Sequence, residues 1–245
     1  MIAMRSLSAA EWIRTWERGL CQAPVERALT LLAAVSPEPQ EELAKLSVGR
    51  RDRRLVEVYQ EHFGSTLAAF AECPQCQERL EYSVNTGDLA RSGGKLEEAE
   101  LALEVGEMSL QLRPPNSVDL SAVRECADVE IARRMLMERC IVDARCGEGS
   151  ISPGALSDSA VEQVAECLAK ADPQAESLID LACPACGHSW QLLFDIEWFL
   201  WAKLNSLAKR LLREVHVLAE AYGWTERDIL ALTAVRRQFY LERVE

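Results

Sequence analysis

The chain is poor in the residues that most chemistry needs. Only three of its 245 residues are histidines, His62, His188 and His216, and no two stand at the spacing of a helical metal pair. There is no Gly-x-Ser-x-Gly nucleophile turn. Gly93-Gly94-Lys95 lacks both the upstream glycine spacing and the Ser or Thr of a phosphate loop, so it reads as a turn. Carboxylates are plentiful, but plenty without a pocket makes no acid–base pair. These absences point away from an enzyme: no catalytic residue, no organic-cofactor residue and no small-molecule substrate is nominated.

Long apolar runs are missing too. Nothing reaches the roughly 18 uninterrupted apolar residues of a bilayer-spanning helix, so no membrane partner is expected. The first twenty residues carry Arg5, Glu11, Arg14, Glu17 and Arg18 and do not read as an export signal. The expected location is the cytoplasm, or a particle assembled there, with reducing surroundings. An excess of cations is also lacking. The net charge is −12, and residues 73–190 hold 10 Lys and Arg against 21 Asp and Glu, whereas the segments before (9 against 10) and after (8 against 8) are nearly balanced. Such a middle segment repels nucleic acid, whose backbone needs a cationic track. The one basic run, Arg50-Arg51-Asp52-Arg53-Arg54, opens a helical pattern and reads as a solvated helix face.

Cysteine, by contrast, is abundant, and four of the nine fall into a pattern. Cys73-Pro74-Gln75-Cys76 and Cys183-Pro184-Ala185-Cys186 are separated by residues 77–182, and each is followed at once by a short strand-like run, Gln77 to Val84 and Gly187 to Phe194. A Cys-x-x-Cys turn offers two thiolates on one side of a tetrahedral zinc ion, and a second turn completes the shell. The expectation is one structural zinc held by Cys73, Cys76, Cys183 and Cys186, the two turns meeting in space. The alternative is a dithiol oxidoreductase, but a redox Cys-x-x-Cys normally stands once, at a helix start, and here the motif occurs twice and opens strands. His188 could replace a ligand, although four sulfurs suffice and a solvated turn histidine is the simpler reading. Cys140 and Cys146 lack knuckle spacing, so Cys21, Cys126, Cys140, Cys146 and Cys167 are expected as free thiols.

Elsewhere the pattern is mostly helical. Ser8 caps a helix carrying Trp12, Ile13, Trp16 and Leu20; Pro24 opens the next, Val25 to Val35; a third runs from about Arg51 to His62 and stops at Gly64. Ser65 to Glu72 is read as a connection to the first knuckle and Asn85 to Gly94 as a polar turn region. Leu101 to Val105 and Met108 to Leu112 flank Gly106-Glu107 as a hairpin. Helices are then expected over Val118 to Cys126, Val129 to Ala144 and Ser159 to Ala171, and a strand over Glu176 to Leu181. Asp195 caps a helix of about 26 residues with an apolar stripe of Trp198, Trp201, Leu204, Ala208, Leu211, Val215, Leu218 and Tyr222, ended by Gly223. Thr225 to Asp228 has capping-box spacing before a last helical stretch.

The fold class is therefore α+β and mostly helical, with a split zinc ribbon, two Cys-Pro-x-Cys knuckles on short antiparallel strands, bracketing an inserted α+β lobe. The expected organisation is an N-terminal helical segment over 1–72, ribbon halves enclosing an acidic hairpin-plus-helices insert over 73–190, and a ribbon strand with C-terminal helices packing back on the core over 191–245.

Several strings resemble one family when taken in order. They are Trp16-Glu17-Arg18-Gly19-Leu20, Val25-Glu26-Arg27-Ala28-Leu29-Thr30-Leu31-Leu32, the two Cys-Pro-x-Cys turns, Phe194-Asp195-Ile196-Glu197-Trp198-Phe199-Leu200-Trp201, Leu211 to His216, and Tyr222 to Leu232. From about Glu11 to Val244 the chain is similar to the T-even phage baseplate hub assembly chaperones, in the version found in bacterial contractile injection-system loci. The resemblance implies a non-enzymatic assembly or structural protein whose partners are baseplate or hub proteins. The alternative from residues alone is a zinc-ribbon nucleic-acid adaptor, which would need the Arg50 to Arg54 run as its contact face.

Overall fold

The structure, a computed structural model, describes residues 4–91 and 101–244. Its first helix, α1 (Ala9–Gly19), begins where the sequence supplies a reciprocal cap: the Ser8 hydroxyl accepts from the Glu11 N–H, and the Glu11 carboxylate accepts from the Ser8 N–H. Pro24 occupies the first turn of α2 (Pro24–Val35), where its missing N–H costs nothing. A short α3 (Gln40–Ala44) follows the Pro37 and Pro39 break. Ser47 then caps α4 (Val48–Phe63), and Gly64, at φ 94°, ends it. These helices pack with α9 (Ile196–Tyr222), and Trp12, Leu31, Leu32, Leu55, Tyr59, Leu200 and Leu204 form the main core. Burial of such side chains contributes roughly 1.5–3 kcal/mol each.

Two-stranded antiparallel hairpins leave this core. The first pairs β1 (Thr66–Glu72) with β2 (Arg79–Asn85), from Thr66 opposite Asn85 to Glu72 opposite Arg79. A short helix, α5 (Thr86–Arg91), follows. The other hairpin pairs β7 (Leu178–Ala182) with β8 (Ser189–Leu193) and leads through the Asp195 cap into α9. Leu67 and Ala69 on β1 and the half-buried Ile179 on β7 root both hairpins in the main core.

Between the hairpins the chain builds a second apolar centre. Strands β3 (Leu101–Val105), β4 (Met108–Leu112), β5 (Ile141–Cys146) and β6 (Gly149–Ser150) form a sheet in that order. Helices α6 (Ser117–Val123), α7 (Val129–Cys140) and α8 (Asp158–Ala171) complete it, and Leu110, Leu112, Met137, Cys140, Val161, Val164 and Leu168 are buried together. Both ends of this unit attach to the start of α4. The Val48 N–H donates to the Pro115 carbonyl (2.9 Å), and the Gly49 N–H donates to the buried Asp172 carboxylate (2.9 Å). Gly49 is required there, because a Cβ would run into Asp172.

Beyond Gly223, left-handed at φ 67°, α10 (Glu226–Ala231) and α11 (Ala234–Leu241) fold back along α9. Ile13, Leu211 and Leu230 make a small separate cluster there.

Several expectations need correction. Ser65 to Glu72 is mostly strand, not a connection, because Leu67 and Ala69 alternate inward against the helical core. The polar turn expected over Asn85 to Gly94 contains α5, and its residues from 92 on, with the Gly93-Gly94-Lys95 turn, lie outside the described residues. The helix expected from Val129 to Ala144 stops at Cys140. Ile141 adopts a φ of −86° and ψ of 113°, and the β-branched Ile141 and Val142 enter a strand beside β4. The basic run is not a solvated face. Arg51 is buried, donating to Asp52 and Ser117, and Arg54 pairs with Glu38 at 3.1 Å. On α9 the expected stripe residues Leu204, Ala208, Leu211 and Leu218 are buried, but Trp198 and Tyr222 are exposed, and Phe199 and Leu200 face inward at its start.

Candidate metal centre

Each hairpin ends in a six-residue loop, 73–78 or 183–188, with the same internal bonding. The Cys73 N–H donates to the Glu78 carbonyl at 2.9 Å, and the Gln77 N–H donates to the Cys73 carbonyl at 2.9 Å. In the second loop the Cys183 N–H reaches the His188 carbonyl at 2.8 Å and the Gly187 N–H reaches the Cys183 carbonyl at 2.9 Å. The fifth residue of each loop is left-handed: Gly187 has φ 73°, and Gln77, with φ 61°, is the one non-glycine residue at positive φ among those described. A side chain there costs roughly 1–3 kcal/mol of backbone strain.

The loops bring four sulfurs together. The Sγ atoms of Cys73, Cys76, Cys183 and Cys186 all lie within 4.8 Å of one another. Two separations that cross between the loops, Cys73 to Cys186 and Cys76 to Cys183, are both 3.6 Å. Four sulfurs at about 2.3 Å from a tetrahedral ion stand about 3.8 Å apart, so the cluster has the size of a filled thiolate shell. Cys73 and Cys183 are buried; Cys76 and Cys186 face outward. No β-ladder joins the two hairpins among the described residues, and at their tips the four sulfurs come together.

The electrostatics of the cluster favour a cation. Desolvation opposes the Cys73 thiolate, yet the N–H groups of Cys76 and Gln75 and the neighbouring thiols hold its pKa down to about 7. At Cys76 the Glu78 N–H favours ionisation, but the neighbouring sulfurs and burial prevail and push the thiol up to about 12. Cys186 is raised in the same way, against the His188 N–H. One anionic sulfur makes the next costly, and a bound divalent ion removes that conflict by deprotonating its ligands outright.

His188 is not one of the clustered groups; its ring stacks on Trp190 with centroids 6.0 Å apart. Cys140 is buried in the second core, where burial pushes its thiol up to about 12, and neither it nor the exposed Cys146 joins the cluster. Sequence reading missed the strand β1 that delivers the first knuckle, whereas the strand expected over Glu176 to Leu181 before the second is present as β7. The inward side chains Leu67 and Ala69 were the available signal.

The fold and this centre define a mixed α+β, mostly helical protein with a four-cysteine cluster able to chelate a metal ion. A family model described as T4 bacteriophage base plate protein matches residues 26–201, and the chain belongs to that family. The match takes in both knuckles and ends inside α9 at Trp201. No curated protein and no solved structure matches the chain. The protein is accordingly a baseplate-family protein of a phage-tail-like contractile injection system, with a structural or assembly role rather than a catalytic one. Its partners are proteins, and no described helix is long and apolar enough to cross a membrane.

Proposed function

We propose that Cys73, Cys76, Cys183 and Cys186 hold one zinc ion, and that this ion closes a split zinc ribbon whose two hairpins bracket the inserted lobe. The observation that carries the reading is the convergence of four sulfurs within 4.8 Å from loops separated by residues 77–182. Four soft thiolates in a closed shell suit zinc and exclude the oxygen-seeking ions calcium and magnesium. With no open coordination position the ion does no chemistry on substrates; it contributes folding free energy and rigidity.

On this reading residues 1–72 form the helical base, 73–190 the ribbon halves with their acidic insert, and 191–245 the returning strand and helices. A rigid clasped body of this kind serves an assembly factor, which presents fixed surfaces to other subunits. The function proposed is that of a hub or baseplate assembly chaperone working in the cytoplasm and contacting other baseplate or hub proteins. Elemental analysis of purified protein tests the metal. Near one zinc per chain is expected, lost in Cys183→Ser together with cooperative melting; a metal-free wild type that melts cooperatively would remove the clasp from the account. Co-expression with neighbouring baseplate subunits tests the role. A complex that forms during assembly and is absent from finished particles supports a chaperone, and retention in the particle supports a permanent part.

A further inference from the structure

Each outward sulfur of the cluster has, as its close neighbour, the buried sulfur of the opposite hairpin. Cys76 is exposed and stands 3.6 Å from the buried Cys183; Cys186 is exposed and stands 3.6 Å from the buried Cys73. An oxidant from solvent therefore meets Cys76 or Cys186 first, and a buried thiol of the other loop stands 3.6 Å away to resolve the product.

We propose that the cluster is an oxidation site that converts the clasp from metal-held to covalent, through the disulfides Cys76–Cys183 and Cys73–Cys186. The oxidant is a hydroperoxide. The exposed sulfur attacks the peroxide oxygen and breaks the O–O bond; it becomes a sulfenic acid while the peroxide leaves as an alcohol or water. The neighbouring thiol then displaces hydroxide from that sulfur, the S–S bond forms, and the thiol proton leaves with the hydroxide as water. Each disulfide thus consumes one peroxide and two thiols, and any ion held by the four sulfurs is released.

The pairing has a structural consequence. Disulfides within a loop, Cys73–Cys76 and Cys183–Cys186, would leave the hairpins untied, since no ladder joins them among the described residues. The crossed pairs keep residues on either side of the lobe linked after the ion has gone. This regulation concerns the site proposed above to hold zinc, but the pairing depends only on the sulfur positions, so it stands or falls separately from the metal's identity.

The test uses the full chain as purified and a chelator-dialysed sample, each treated with hydrogen peroxide, digested without reductant and mapped by mass spectrometry. Peptides linked through Cys76–Cys183 and Cys73–Cys186 are expected, with thiols titratable in denaturant falling from nine to five. The oxidised protein should also keep its melting temperature in excess chelator. Links within each loop, or sulfinic acids at Cys76 and Cys186 without a link, would overturn the proposal. Cys21→Ser with Cys146→Ser removes two exposed thiols outside the cluster and should leave the map unchanged. Metal content measured on the same samples reports separately on the zinc reading.

Discussion

Gln77 and Gly187 hold equivalent places in the two loops, yet only the glycine adopts its left-handed backbone without cost. Gln77→Gly should therefore stabilise the protein by about 1 kcal/mol, with no loss of bound metal. A melting temperature that stays the same or falls in this variant would mean that the Gln77 side chain makes a compensating contribution. Glu197 argues the opposite way. Buried in α9 beside Arg27 (3.0 Å), it is raised from an ordinary 4.5 to about 7 by burial, which outweighs the attraction of Arg27. The folded state thus favours its protonated form. Its contribution is complete below about pH 4.5 and disappears as pH rises through 7. Glu197→Gln should flatten that part of the pH–stability curve and raise stability at pH 8 by on the order of 2 kcal/mol, after allowing for solvent screening. Equal gains at pH 4 and pH 8 would contradict the assignment.

At the scale of elements, two seams show how sequence details place whole helices. Gly19 lets α1 lie against the Trp201 ring of α9, where a Cβ would overlap that ring, and the Trp16 indole N–H donates to Asn205 at 3.1 Å along the same seam. Gly49 admits the Asp172 carboxylate to the first turn of α4. Gly19→Ala and Gly49→Ala should each cost about 1–3 kcal/mol, because close-packed neighbours must move. In the inserted lobe, Asp119 is fully buried between Arg113 (2.6 Å) and Arg139 (3.0 Å) and accepts from the Asn116 N–H. Against desolvation, these partners hold its pKa below the ordinary carboxylate value. Asp119→Ala should cost about 3 kcal/mol by denaturant melting, the low end for a broken buried pair because both arginines are partly solvated.

Elements with local punctuation were legible in the sequence. Ser8 with Glu11, Pro24, Gly64, the Gly106-Glu107 turn, Asp195 and Gly223 each mark a boundary that the structure keeps, because capping and left-handed turns depend on few neighbours. What stayed hidden was decided at long range. Whether Ile141 continues a helix or pairs with β4, and whether Leu67 lies on a strand, depends on partners distant in sequence. The inward turn of Arg51 is set by Ser117, 66 positions away. The four cysteines were legible as a set because tetrahedral thiolate chemistry demands two pairs, whereas the crossed closeness of their sulfurs required coordinates.

For the molecule as a whole, two separate apolar centres and the sulfur cluster at the hairpin tips describe one arrangement. A helical base extends two hairpins, and the chain between them folds around its own core. The base and the lobe are joined directly at the start of α4, and the two hairpins come together at their tips, where the four sulfurs cluster. On the proposed metal reading, removing the ion should loosen the hairpin tips and leave the join at α4. Chelation is expected to raise amide hydrogen exchange in β1, β2, β7 and β8 well before it does so in α4 or α9. Uniform deprotection would mean that the cluster supports the entire fold.

The most direct measurement is the X-ray absorption spectrum of the purified protein at the edge of whatever metal it carries. The account predicts zinc with four sulfur neighbours at about 2.3 Å and no oxygen or nitrogen in the shell. A shell containing light atoms, or protein without metal whose cysteines are all free and whose hairpins are equally protected, would contradict it.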